Sequence, residues 1–399
     1  MAGQPDIALV SGDFWGRNPH EELAWLRRND PVHWDEAGSV WGITTYADVR
    51  AVSKQPELFS NAGGIRPDTG PIPMMIDMDD PEHWRRRKLV NRGFTPARVR
   101  AQADRIREVV DGLIDAVCEK GECDFVADIA AWLPLVMIGD ALGVEPEDHP
   151  TLLKWSDDLM RGQGQTDESL VLAMMGAFEG YTSYIDGVIE DRATCPRDDL
   201  MSVLVHAEVD GDKLDKDEIV HESLLILIGG DETTRHVITG GLYQLLADPQ
   251  QWDRVLADRS LVPSVVEEAL RWVSPIKNMA RTATRDVELH GKQIHEGDTL
   301  LLLYPSANRD EDHFPDPFRF DSTRTPNDHV AFGFGPHFCL GAALARLELE
   351  VSLTTVLDRL PDIRLVDDAE PPHRPANFIS GYESMPVRFA PTAPIGVRG

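Results

Sequence analysis

Apolar positions give the first picture of this chain. In the N-terminal part they come in short runs, such as Val32-His-Trp34 and Val40-Trp-Gly-Ile43, separated by turns, which predicts short strands. After Asp80-Pro81 the spacing changes to three and four residues and stays helical to about residue 273. Asp80 and Pro81 suit an N-cap and a first helical position, so a helix is predicted to open there and run through Lys88. Asp217-Glu218 begins another helix that extends to about Ala247, long for a globular protein. From Arg281 to Leu303 the pattern alternates and turns at Gly291 and Gly297, which predicts strands. A loop rich in Pro, Asp and Phe (310–326) leads to Phe332-Gly-Phe-Gly335 and a final amphipathic helix from about Leu340 to Leu360. No internal repeat or low-complexity linker divides the chain. The prediction is a mainly α fold with a minor β region, one large domain over residues 1–399, where length alone suggests two or three.

Composition narrows the class of function. With 42% hydrophobic residues the 399-residue chain has enough apolar surface to build a core. Its formal charge of −29 argues against wholesale binding to nucleic acid or to an anionic membrane. The four cysteines, Cys118, Cys123, Cys195 and Cys339, form no CxxC pair and are too few for a disulfide framework at this length. The N-terminus lacks a basic region followed by an apolar run, and no apolar stretch is long enough to span a membrane. A cytoplasmic protein, and a monomer, is the expectation.

Cys339 stands out within Phe332-Gly-Phe-Gly-Pro-His-Phe-Cys-Leu-Gly341, immediately before a helix. A sulfur there meets the positive end of the helix dipole and free backbone N–H groups, both of which favour thiolate. It could serve as a soft metal ligand, or as a nucleophile with His337 as its base; a buried free cysteine is the plain alternative. Gly229-Gly230 inside the long helix costs about 1 kcal/mol per glycine relative to alanine. Ile226, Gly230, Thr233 and Val237 share one face of that helix, which a packing groove would also explain. Glu268 and Arg271 form an i, i+3 pair, and His83 and Arg87 lie four apart on one helix face. Both could donate to carboxylates, although a solvated basic face reads the same way.

The pattern Phe-x-x-Gly-x-x-x-Cys-x-Gly resembles the haem-binding loop of the cytochrome P-450 superfamily, and that resemblance gives the other motifs a reading. It implies the P-450 fold, with one domain enclosing haem b (iron protoporphyrin IX) and Cys339 as axial thiolate ligand of the iron. Gly229-Gly-Asp-Glu-Thr-Thr234 looks like the oxygen-activation motif. It implies that Gly230 leaves room for dioxygen, Thr233 presents a hydroxyl to it and Glu232 relays protons. Glu268 and Arg271 match the buried Glu-x-x-Arg network behind the haem, expected to be completed by residues 315–320. His83 and Arg87 match the propionate donors, as do Arg281 and His337. One departure is His295 in Ile294-His-Glu-Gly297, where the family usually has Pro.

Segments around Phe59–Asp68, Pro73–Pro81, Leu224–His236 and Arg374–Pro386 are similar to the actinobacterial sterol side-chain oxidases within that superfamily. The implied reaction inserts one oxygen atom into the terminal methyl of a cholesterol or cholest-4-en-3-one side chain, giving the alcohol and further the acid. The apolar residues Ile65, Ile72, Met74, Met75 and Ile76 are expected to roof the pocket, with Ile226, Gly230 and Phe378. Rival readings are a monooxygenase for another bulky lipid (fatty acid, terpene or polyketide), a peroxygenase, or a haem-based binding or sensing protein. Electrons are expected from a separate ferredoxin with its ferredoxin reductase. Arg85, Arg86, Lys88, Arg92, Arg98 and Arg100 form a basic stretch with Arg87 and no acidic residue between them, and are expected to steer the acidic donor.

Overall fold

The computed structural model describes residues 5–162, 167–367 and 369–396. The N-terminal apolar runs form strands Val32–Asp35 and Val40–Ile43, paired antiparallel. They join Thr299–Leu303, Asn278–Ala283 and Phe59–Ser60 in a five-stranded sheet. Val40–Ile43 runs parallel to Thr299–Leu303, with Val40 opposite Thr299. Leu300 to Leu303 are all fully buried because alternate side chains enter different clusters. Leu300 and Leu302 pack with Ile43 and Phe59, whereas Leu301 and Leu303 pack with Phe14 and Trp15. Strands Val287–Leu289 and Lys292–Ile294 make a hairpin that turns through His290 and Gly291, both at positive φ. Two such residues in sequence match the twist of the flanking strands.

Three N-terminal helices, Gly12–Gly16, His20–Asn29 and Tyr46–Ser53, lie where the pattern suggested only strands and turns. A three-stranded sheet of Glu122–Asp124, Pro386–Arg388 and Arg364–Leu365 was also not expected, since strands of two or three residues carry no periodicity. The helix after Asp80-Pro81 spans Glu82–Val90 and starts one residue later than predicted. Asp80 still caps it: its carboxylate accepts the Trp84 N–H at 3.1 Å.

The long helix is Lys216–Ala247, 32 residues, opened by a reciprocal capping box between Asp215 and Glu218. It packs on helices Trp132–Leu142, Val262–Val273 and Ala342–Arg359. Gly240 and Gly241 allow the close crossing: a Cβ on Gly241 would lie 2.7 Å from the Ala269 Cβ. No helix among the described residues is long and apolar enough to cross a membrane.

Helix Val262–Val273 presents Glu268 and Arg271, both fully buried, as a bidentate pair at 2.7 and 2.8 Å. Arg271 also donates to the carbonyls of Asn308 and Pro317, and Glu268 accepts from Arg324, Asn327 and the Asp321 N–H. The network therefore ties this helix to the segment 308–327, as the motif implied. Removing one charge leaves the others buried without compensation. Glu268→Gln is expected to lower the unfolding free energy by about 3–5 kcal/mol, read from the denaturant midpoint at unchanged slope; a change below about 0.5 kcal/mol would remove the network from the scaffold.

Candidate active site

The glycine loop is held in one shape by backbone constraints. Cys339 N–H donates to the Phe332 carbonyl at 2.9 Å, and Gly333 and Gly335 have φ of 70° and 78°. A Cβ on Gly335 would lie 2.2 Å from the Ser53 carbonyl oxygen, so no other residue fits there. The loop ends against helix Ala342–Arg359, and the N–H groups of Gly341 and Ala342 reach the Cys339 sulfur. Burial pushes the Cys339 thiol above its usual value, outweighing those N–H groups and the charges of Arg87 and Arg346. Burial thus opposes the thiolate that the helix dipole and the free N–H groups favour, and a bound cation would displace the proton.

Cys339 faces a cavity enclosing about 1450 Å³ of non-atom space, whose opposite wall is the long helix. Ile226, Gly230, Thr233 and Val237 all line it, as their shared face required. Gly229 lines it too, and this position leaves the space open. A Cβ on Gly229 would meet nothing within 4 Å, whereas one on Gly230 would strike Ile138 at 2.6 Å. The Thr233 hydroxyl donates to the Gly229 carbonyl at 2.7 Å. Of the predicted roof, Met75 and Ile76 line the cavity. Ile65, Ile72, Met74 and Phe378 lie off its wall, in the apolar cluster that also contains Met75 and Ile226. The loop folds back on the sheet there, with the Ala280 N–H donating to the Ile65 carbonyl at 2.8 Å.

His83, Arg87, Arg281 and His337 converge on the same cavity. The His83 and His337 rings lie 4.0 Å apart, tilted by 32°, and His83 Nδ1 donates to Asp80 at 3.1 Å, leaving its buried Nε2 without a partner. Arg87 donates to the Phe338 carbonyl, and Arg281, 4% exposed, donates to the Ala280 carbonyl. Burial lowers all four pKa values; His337 falls to about 2 under burial and repulsion from His83, Arg281 and Arg87. His337 is thus placed as a neutral donor among cations. These groups leave donor capacity facing the cavity and suit an anionic ligand.

Glu232, by contrast, does not line the cavity. Fully buried, it accepts from Arg235 at 2.8 Å and Arg374 at 3.0 Å, with His236 at 3.4 Å. Burial pushes its carboxyl up, but these cations outweigh it and hold it well below the usual carboxylate range. Its neighbour Asp231 goes the other way, raised to about 7 by burial, with the Ser156 hydroxyl donating to it at 2.7 Å.

The basic stretch needs correction. Arg86 is buried, pairing with Glu82, Glu218 and Glu222, and Arg85 pairs with Glu82, Asp212 and Glu218. The sequence shows no acid among these basic residues, but the fold brings acids from other segments against them. Lys88 and Arg98 each meet one exposed carboxylate, Asp210 and Asp198. Arg92 and Arg100 are exposed and enter no ion pair among the described residues. Sequence reasoning also missed Glu222, which accepts the Met75 N–H at 2.8 Å while Arg86 donates to the Pro73 carbonyl at 2.9 Å. Together these two residues pin the roof at Met75 to the long helix. Their only signal was a Glu inside an otherwise apolar helix face.

Comparison with known proteins agrees with this geometry. The cytochrome P450 family model matches residues 173–375. A steroid C26-monooxygenase of Mycolicibacterium smegmatis is 54% identical over 397 residues, covering 99% of both chains. This chain belongs to the cytochrome P450 family. A steroid C26-monooxygenase of Mycobacterium tuberculosis is 52% identical over 399 residues, covering 99% of this chain and all of that one. The crystal structure of a Bacillus megaterium P450 in complex with corticosterone superposes with a TM-score of 0.87 at 34% identity, covering 94% of this chain and 99% of that one.

A P450 carries haem iron and uses dioxygen, and the residues present fit that group. One sulfur faces the cavity, and the guanidinium groups of Arg87 and Arg281 with the His337 ring lie beside it, a donor set that suits two propionates.

Glu222 provides a test of how the roof is held. Burial raises its pKa from 4.5 to about 7, against the Arg86 and Met75 donors. The folded state therefore binds an extra proton between those values, and wild-type stability falls as pH rises through that window. Glu222→Gln removes this slope. Thermal unfolding from pH 4.5 to 7.5 should show the variant gaining on the wild type as pH rises; parallel curves would refute the assignment.

Proposed function

We propose that this P450 monooxygenase hydroxylates the terminal methyl of a cholesterol-type side chain and carries the alcohol on toward the acid. The observation that supports this most strongly is near-full-length identity of 54% to a steroid C26-monooxygenase. The large, mainly apolar cavity is in keeping with a bulky lipid. We read all 399 residues as one haem-enclosing, cytoplasmic domain.

In this reading Cys339 ligates the iron of haem b, and His83, Arg87, Arg281 and His337 hold its propionates. The haem, when bound, supplies dioxygen activation at its iron. The chain's own residues do the rest. Gly229 and Gly230 keep the helix backbone close without side chains in the way. Thr233 holds a hydroxyl proton at the cavity wall, now spent on the Gly229 carbonyl. Glu232, one residue earlier and held ionised, relays a proton by first accepting it, and must exchange a contact with Arg235 or Arg374 to do so. A terminal C–H is stronger than its tertiary neighbour, so selectivity comes from position, with Met75 and Ile226 as walls and Glu222 setting where Met75 stands.

Electrons reach the site from a separate donor, for which an acidic ferredoxin is proposed. Helix Pro96–Ala101 packs on the helix that follows Cys339, and Phe338 beside the cysteine is 40% exposed. Arg92 and Arg100 are the unpaired cations on this side, with Lys88 and Arg98 as secondary contacts.

Titration with cholest-4-en-3-one should shift the haem spin state, and turnover should place oxygen on the side-chain terminus. A response to fatty acids and none to the sterol would transfer the reading to another lipid. The red-shifted Soret band of reduced protein with carbon monoxide should vanish in Cys339→Ala. Charge reversal of Arg92 and Arg100 to Glu should slow reduction by ferredoxin about tenfold at low salt and flatten its salt dependence. Reduction unaltered by both changes would place the docking surface elsewhere.

A further inference from the structure

A second cavity, about 520 Å³ of non-atom space, lies on the side of the long helix near its C-terminal half, away from Cys339. Its wall is drawn from five segments: Trp15–Leu23, His236 with Gly240, Trp272–Lys277, Pro305 with Arg309, and Glu370–Tyr382. Two of its charged side chains are almost wholly buried cations: Arg309 is 2% exposed and Lys277 5%. Arg309 Nη2 donates to the Trp272 carbonyl at 2.7 Å, and its guanidinium lies 4.5 Å from the Trp272 ring. Its Nε and Nη1 have no partner, and neither do His20 Nδ1 and His236 Nδ1. Lys277 Nζ reaches only carbonyls, those of Ser274 at 3.3 Å and Val273 at 3.5 Å.

The unmet capacity of Arg309 is of one kind. Guanidinium N–H groups can only donate, so what fills this space must accept. Water accepts, but it also brings protons that need acceptors of their own. Glu370 is the one carboxylate among the described lining residues; it already accepts the Tyr382 hydroxyl at 2.7 Å and faces His373 at 3.5 Å. The fixed charges lining the cavity are those of Arg309 and Glu370, and Lys277 adds a positive charge when protonated. Burial, and after it the Arg309 charge, pushes Lys277 down to about 7, so an anion beside it would favour its charged form.

We propose that this cavity binds one small monovalent anion, chloride in the cell, between Arg309 and Lys277 with His20 completing its donors. Glu370, whose side chain is 48% exposed, stands at the rim and repels the ion as it enters. Bound there, the anion ties the segments that carry Arg309 and Lys277 to the N-terminal helix that begins at His20.

Crystals of the holoenzyme in bromide should give an anomalous peak inside the cavity, within hydrogen-bond distance of Arg309. In solution, replacing chloride by gluconate at equal ionic strength should lower the thermal midpoint by about 2–4 °C. Lys277→Met should abolish both the peak and the chloride dependence. Glu370→Gln, a change at an exposed position, should act oppositely and lower the chloride concentration needed for half the effect several-fold. Absence of anomalous signal, or a chloride dependence that neither variant alters, would overturn the proposal and leave the cavity to water.

Discussion

Everything in this fold answers to one constraint: a 32-residue helix buried along most of its length must have a partner for every charge it carries. Glu222, Asp231, Glu232, Arg235 and His236 all sit on it, each less than a tenth exposed. An unpaired charge at that depth costs several kcal/mol, so the surrounding segments are arranged to meet these side chains. Arg86 comes from helix Glu82–Val90, Asp157 and Ser156 from helix His149–Gly162, and Arg374 from the C-terminal segment. Each contact fixes a distant piece of chain against the helix, and together they leave the face carrying Gly229 and Thr233 free for the cavity.

The same arrangement separates the helix's carboxylates by environment. Glu232, between two guanidinium groups, stays ionised, while Asp231 and Glu222, with less compensation, are pushed up to about 7. Glu232 therefore differs in protonation from Asp231 and Glu222 near neutral pH. Glu222 uses its position to hold Met75; Glu232 stands next to the hydroxyl that faces the reacting space. Across the cavity, the cysteine loop inverts the balance, with donors and cations gathered where an acidic cofactor edge would lie.

Legibility varied with the kind of signal each element carried. The long helix, the hairpin at His290-Gly291 and the strand Thr299–Leu303 follow from periodicity and turn residues, which are local. The helix Gly12–Gly16 and the strands Glu122–Asp124 and Arg364–Leu365 are too short for any period to show. The first of these strands pairs with a segment more than two hundred residues away, with Pro386 opposite Asp124. In the site, Cys339, Thr233, His83 and Arg87 were readable because motif spacing places them on one face or one loop. That a side chain on Gly230 would meet Ile138 while one on Gly229 would meet nothing was not readable, because Ile138 comes from another helix. Nor was the retreat of Ile65, Met74 and Phe378 from the cavity wall, which depends on how the loop folds against the sheet.

The sequence by itself determined the helical frame, the cysteine loop, the face of the long helix that meets it and the family to which they point. These rest on spacing along one chain segment, where backbone geometry leaves few choices. Only the tertiary structure decided which charges are free. The basic run from Arg85 to Arg100 reads as one patch in the sequence, yet carboxylates from residues 82, 198, 210, 212, 218 and 222 neutralise most of it. The same is true of the thiol, whose helix dipole is local while its burial is not. Coulomb and desolvation energies depend on distance in space, and sequence separation carries no information about that distance.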